Sequence, residues 1–186
     1  MIFYSILWII LLTLRVVIAL YLRAERKHYQ NKQAPTISTY SRYYDLMSDK
    51  LVLKPDCSCI DLWCGDGSVL RFFAHYYKTK KLVGIDNNRV AIWLGKIYNW
   101  ISNKSYINLV TGDFQSIDIS NYDVIYLFLL PQHLDNMKIW LQNNIKPDAM
   151  IVCSAFEFSS REPCSVIQSE DKRSTIRIYK KPKSKQ

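Results

Sequence analysis

The chain has 186 residues, 49% of them apolar and 22% charged, which excludes a disordered or low-complexity chain and fits one ordinary domain with a small appendage. Its net charge of +9 is carried at the ends: residues 1–34 hold five Lys/Arg against Glu25, residues 172–186 hold seven and no acid, and the body between is nearly neutral. A nucleic-acid enzyme more often carries a basic face on its body, so nucleic acid is not the expected partner. No pair among Cys57, Cys59, Cys64, Cys153 and Cys164 has the CxxC spacing of a zinc site, and the cysteines read as buried reduced thiols.

In chain order, residues 2–22 come first, an apolar run broken by Arg15. At 1.5 Å per residue it reaches about 31 Å, one hydrocarbon thickness. Arg15 can snorkel toward the Leu22 side. The charges Arg23, Arg26, Lys27 and Lys32 follow the run, and no Ala-x-Ala site follows it, so an uncleaved single-pass transmembrane helix is expected over residues 1–28. The positive-inside bias puts the body on the cytoplasmic side, with a bacterial plasma membrane favoured over an organelle, and membrane lipid becomes an expected partner. Residues 29–35 read as a polar linker. A helix is predicted from Thr36 or Ser38 to about Leu51, stopped by Pro55.

Strands and helices then alternate. Strands are predicted over residues 57–63, 81–86, 106–111, 122–130 and 149–156, with helices between them. One helix places Val90, Trp93, Leu94, Ile97 and Ile101 on a common face, expected to be buried. Another has Leu134, Met137, Leu141 and Ile145 in register. Residues 165–168 and 175–180 form a hairpin around a polar turn, and residues 182–186 read as a disordered basic tail. Alternation of this kind predicts an α/β fold with a mostly parallel sheet covered on both faces.

Four of the five glycines fall at predicted strand ends: Gly65 and Gly67 after the first, Gly84 in the second, Gly112 after the third. Three carboxylates share that edge. Asp61 lies in the first strand, Asp86 ends the second, 21 residues beyond Gly65, and Asp113 follows the third. Ligands of open α/β sheets bind beyond the carboxyl ends of the strands, and an acid after the second strand can accept hydrogen bonds from ribose hydroxyls. Asp113 can accept from an adenine amino group with Phe114 beside the ring.

These residues carry a resemblance. DLWCGDG (61–67), VGID (83–86) and TGDF (111–114) resemble the class I S-adenosylmethionine-dependent methyltransferases, a Rossmann-like fold. GDGSVLRFFA (65–74), YDVIYLFLLP (122–131) and IKPDAMIVCSAFEF (145–158) resemble archaeal protein-lysine methyltransferases. They also resemble the mitochondrial family that methylates a lysine of the ATP synthase c subunit or the adenine nucleotide translocase. The resemblance spans about residues 35–180. It implies S-adenosylmethionine as cofactor, with Asp61, Gly65 and Gly67 holding its methionine part, Asp86 the ribose, and Asp113 with Phe114 the adenine. Leu130, Pro131 and Gln132 then lie at the methyl-transfer site, and Pro35 with Thr36 resembles a Pro-Thr pair that closes over the cofactor. Trp63 departs from the motif, which has glycine there; its ring either turns into the core or fills the cofactor pocket. Gln132 departs too, standing where the relatives tend to have Glu.

The implied reaction is methyl transfer to a lysine amine of a protein, with the expected membrane tether favouring a membrane-protein acceptor. LFLLP (127–131), Phe156 and Phe158 would wall an apolar acceptor channel. A membrane-tethered interaction module on a catalytically decayed methyltransferase fold is the alternative, motivated by Trp63. A nicotinamide dinucleotide site is disfavoured because Leu70 stands where a third glycine belongs.

Overall fold

The computed structural model describes residues 2–30 and 39–181. Pro35, Thr36, most of the expected linker and the tail 182–186 lie outside the described residues. The chain divides into two units, Met1–Thr36 and Ile37–Gln186.

The first unit contains one helix, α1 (Ile2–Gln30). Tyr4, Trp8, Ile9, Leu12, Leu14 and Leu20 are exposed on it. Among the described residues no helix is long and apolar enough to cross a membrane. The transmembrane helix expected over residues 1–28 is therefore not supported, nor is the membrane lipid partner inferred from it.

The second unit is an α/β sheet. Its helices are α2 (Ser41–Lys50), α3 (Ser68–Tyr76), α4 (Arg89–Ile101) and α5 (Pro131–Asn144). Its strands are β1 (Ser58–Leu62), β2 (Lys81–Asp86), β3 (Asn108–Thr111), β4 (Val124–Leu127), β5 (Met150–Ser154), β6 (Ser165–Gln168) and β7 (Thr175–Lys180). The strand order is β3-β2-β1-β4-β5-β7-β6. The first five strands run parallel and β7 returns antiparallel between β5 and β6. This matches the predicted parallel sheet with a C-terminal hairpin.

Both sheet faces are covered, because strand residues of either parity are buried. Cys59, Tyr126 and Val152 join Met47, Leu70, Phe73 and Ile92 in one cluster, while Ile60, Leu62, Ile125 and Ile151 of the other parity are equally buried. In α5 the predicted stripe is buried, through Leu134, Met137 and Leu141.

The expected buried face of α4 is wrong. Trp93 and Ile101 are exposed, and the helix buries Ala91, Ile92, Gly95 and Asn99 instead. The reason is close packing: a Cβ on Gly95 would lie 2.3 Å from the Asp66 carbonyl oxygen, so only glycine lets α4 reach the loop after β1. A helix docked through its small residues turns its large ones outward.

Candidate functional site

The chain leaves β1 after Leu62, and the Trp63 and Cys64 N–H groups both donate to the Ile85 carbonyl (2.8 and 3.1 Å), seating the turn on β2. Three residues of the turn then take left-handed backbone: Trp63 at φ 81°, Gly65 at 54° and Gly67 at 79°. Two are the glycines that such geometry favours. The third carries an indole, at a cost of about 1–3 kcal/mol in backbone strain.

Asp86 braces this turn. Its Oδ2 accepts from the Gly65 N–H and its Oδ1 from the Asn88 N–H, both at 2.8 Å. Asn88 in turn caps α4, accepting from the Val90 and Ala91 N–H groups at 3.1 Å. A second clamp holds the other side of the loop. Arg71 donates to the Asp66 carbonyl (2.6 Å), to Asp66 Oδ2 (2.7 Å) and to Asn99 Oδ1 (3.2 Å), tying the loop to α3 and α4 at once. Residue spacing alone announces neither Arg71 nor Asn99, since they meet only through the docking of α4.

Asp61 pairs in register with Gly84 on one side and Tyr126 on the other. It is almost fully buried. Burial, and then the negative charges of Asp86 and Asp66, push its carboxyl well above the usual carboxylate range. A cationic ligand group beside it would relieve that cost. Nearby, the Tyr44 hydroxyl meets Ser68 Oγ at 3.2 Å, and among the described residues the buried Tyr126 and Ser154 hydroxyls have no hydrogen-bond partner. Burial pushes the Tyr126 phenol upward. Sequence reading missed the Tyr126 and Ser154 hydroxyls; Tyr126 was legible only as an apolar member of β4.

Trp63 does not turn into the core. Its half-buried indole lies against Phe114, ring centroids 4.5 Å apart, and Phe114 meets Trp140 edge-on at 5.0 Å. Trp63, Ile85, Asp86, Asn87, Gly112, Asp113 and Phe114 line one narrow cleft of about 20 Å³. Asp113 is exposed and caps the short turn beginning at Phe114 by accepting from the Gln115 N–H at 2.9 Å. Asn87 Oδ1, buried and unpartnered, belongs to the same cleft. Those groups suit a nucleoside: stacking rings, two carboxylates and a polar atom left without a partner. With indole and phenyl in contact the cleft is narrow.

The residues expected at the transfer site begin α5. Leu130 is its N-cap, Pro131 its first residue, and the exposed Gln132 places Nε2 3.4 Å from His133 Nε2. Among the described residues none of the three bonds to the carboxylate-rich turn. Of the two phenylalanines expected to wall the acceptor, Phe156 lies 6.2 Å from Phe128, the first residue after β4, which packs on Tyr43 at 5.8 Å. Phe158 does not join them, because it is buried edge-on against Tyr179 at 5.0 Å.

Comparison with known proteins agrees with this geometry. Residues 61–165 match the ANTKMT methyltransferase domain. A protein-lysine N-methyltransferase of Saccharolobus islandicus is 29% identical over 148 residues, 78% of this chain and 91% of that protein. Among solved structures, an RNA methyltransferase from Salinibacter ruber in complex with S-adenosyl-L-homocysteine shares the fold at TM-score 0.71 and 20% identity, covering 81% of this chain and 97% of that one. A ribosomal protein L11 methylase from Lactobacillus delbrueckii subsp. bulgaricus does so at TM-score 0.62 and 15% identity, covering 80% and 82%. The fold, the carboxylate-braced turn and the family match converge: the chain belongs to the ANTKMT methyltransferase-domain family and is a class I methyltransferase that uses S-adenosylmethionine.

Proposed function

We propose that this methyltransferase acts on a lysine amine of a protein. The observation that carries this reading is the Saccharolobus protein-lysine N-methyltransferase, whose likeness extends over 91% of its length. The chain's own residues support it. The segment after β4, Phe128 to Pro131, is wholly apolar and carries no DPPY or NPPY sequence for amide or adenine amino groups.

A free lysine titrates near 10.4, so presenting its neutral amine at pH 7 costs about 4.6 kcal/mol. An apolar wall of Phe128, Phe156 and Leu130 lowers that cost by disfavouring the ammonium form. When bound, S-adenosylmethionine supplies the electrophilic methyl group. In this reading Asp61 faces the cofactor's amino group, Gly65 and Gly67 let its methionine part approach the backbone, and Asp86 takes the ribose. Asp113, Asn87, Phe114 and the Trp63 ring bound the adenine. Leu130, Pro131 and Gln132 position the acceptor. The residues orient and desolvate, and no dedicated base is required.

The test is methyl transfer from methyl-deuterated S-adenosylmethionine to proteins of a cell extract by the full chain. Acid hydrolysis and mass spectrometry should find the label on lysine Nζ. Label confined to another amino acid, or to nucleic acid, would overturn the reading.

A further inference from the structure

A groove of about 460 Å³ runs between α2 and the turn joining β6 to β7. Asp45 and Asp49, one helical turn apart and both exposed, line it from α2; Glu170 and Asp171 line it from the turn. Arg42 and Lys50 are the basic groups of its lining, leaving an acidic excess. Lys50 Nζ donates to the Gln168 carbonyl at 3.2 Å, and the Arg42 guanidinium lies 4.8 Å from the Tyr40 ring centroid and attracts the Asp171 carboxylate. Asp171 is committed: its Oδ1 accepts from Ser169 Oγ (2.6 Å) and the Arg173 N–H (3.0 Å), and its Oδ2 pairs with Arg173 Nε at 3.8 Å. Among the described residues Asp45, Asp49 and Glu170 enter no ion pair.

An independent feature marks the same groove. Ser174, which lines it, is 1% exposed, and its hydroxyl has no hydrogen-bond partner among the described residues. Its backbone is satisfied, through N–H to Ser169 Oγ at 3.0 Å and carbonyl from the Ser169 N–H at 3.0 Å, so the unmet group is the side chain alone. Buried hydroxyls are ordinarily paired, and one left open beside four carboxylates marks a place for a ligand group.

The groove lies on the edge that holds the cofactor residues. β7 begins there, with Ile176 opposite Ser154 in register and the Ala155 N–H donating to the Thr175 carbonyl at 2.9 Å. We infer that this groove binds a Lys/Arg-rich segment of the acceptor polypeptide, next to the lysine that receives the methyl group. The inference rests on the protein-lysine reading and adds how the acceptor is chosen. Asp45, Asp49 and Glu170 pair with basic side chains of the segment, and Ser174 Oγ bonds to its backbone. Because the carboxylates are exposed, the attraction weakens with salt.

The experiment measures binding of fluorescent deca-lysine and deca-glutamate to the full chain, at low and at physiological salt. Wild type should bind deca-lysine in a salt-dependent manner and leave deca-glutamate unbound. The triple variant Asp45→Asn/Asp49→Asn/Glu170→Gln should weaken deca-lysine at least tenfold and Ser174→Ala about threefold, both with S-adenosylhomocysteine affinity unchanged, which verifies folding. Equal deca-lysine binding by the triple variant and wild type, or no binding by wild type, overturns the groove. Methyl-lysine formed equally by triple variant and wild type also removes the groove, while the lysine reading stands. Groove-dependent deca-lysine binding without methyl-lysine on any protein keeps the basic-segment site and removes the lysine reading.

Discussion

Asp61 and Asp86 are both buried acids at the end of neighbouring strands, yet their environments differ. Asp86 is held by two backbone N–H donors. Asp61 is raised far above the ordinary carboxylate range by burial and by like charges. A pKa raised in the folded state has a definite sign in stability: the native state holds the proton to higher pH than the unfolded chain. Stability from Asp61 is therefore lost as pH rises from the ordinary carboxylate range through the raised folded value. Asp61→Asn should accordingly stabilise the protein without cofactor at pH 7, raising Tm by about 2–4 °C for roughly each 1 kcal/mol. The same variant should weaken S-adenosylmethionine binding, measured by calorimetry. A lower Tm at pH 7 would mean that the buried charge is already compensated. Trp63 is the residue whose role the sequence left open, because a left-handed φ says nothing of where the ring points. The ring's contact with Phe114 makes it part of the cleft wall, and Trp63→Gly should open that cleft, leaving S-adenosylhomocysteine affinity equal or tighter in the same titration.

At the scale of elements, α4 decides how firmly the cofactor turn is held. It meets the loop through Gly95 against Asp66 and through Asn99 against Arg71. Gly95→Ala would place a methyl within 2.3 Å of a backbone oxygen, which something must give way to accommodate. Overpacking of this kind costs about 1–3 kcal/mol. Thermal unfolding should show Tm lower by at least about 2 °C, at roughly 2–4 °C for each 1 kcal/mol, and an unchanged Tm would contradict the packing. The elements themselves were largely legible: β2, β6 and β7 coincide with the apolar runs that predict them, and the α5 stripe is buried as its spacing requires. The α4 face was not legible, because Trp93 and Ile101 recur at helical spacing while the docking face is set by a glycine. Periodicity weighs large apolar residues and is blind to close backbone approach. The Arg71–Asp66–Asn99 clamp was invisible for a related reason, since its members belong to different elements.

For the whole molecule, the glycines and acids gathered at one sheet edge pointed to the cofactor before any contact was known. The groove at the β6–β7 turn did not show in the sequence, since Asp45 and Glu170 are far apart along the chain. The apolar run of residues 2–22 did read as a helix, and α1 forms, but its span of a membrane is not supported. The central claim is that the turn braced by Asp86 receives S-adenosylmethionine. Calorimetric titration of the full chain with S-adenosylhomocysteine tests it most directly. One site of micromolar strength is expected, weakened at least tenfold by Asp86→Ala, which removes the proposed ribose acceptor together with the brace on Gly65. No heat from well-folded protein, or equal affinity in the variant, would contradict it.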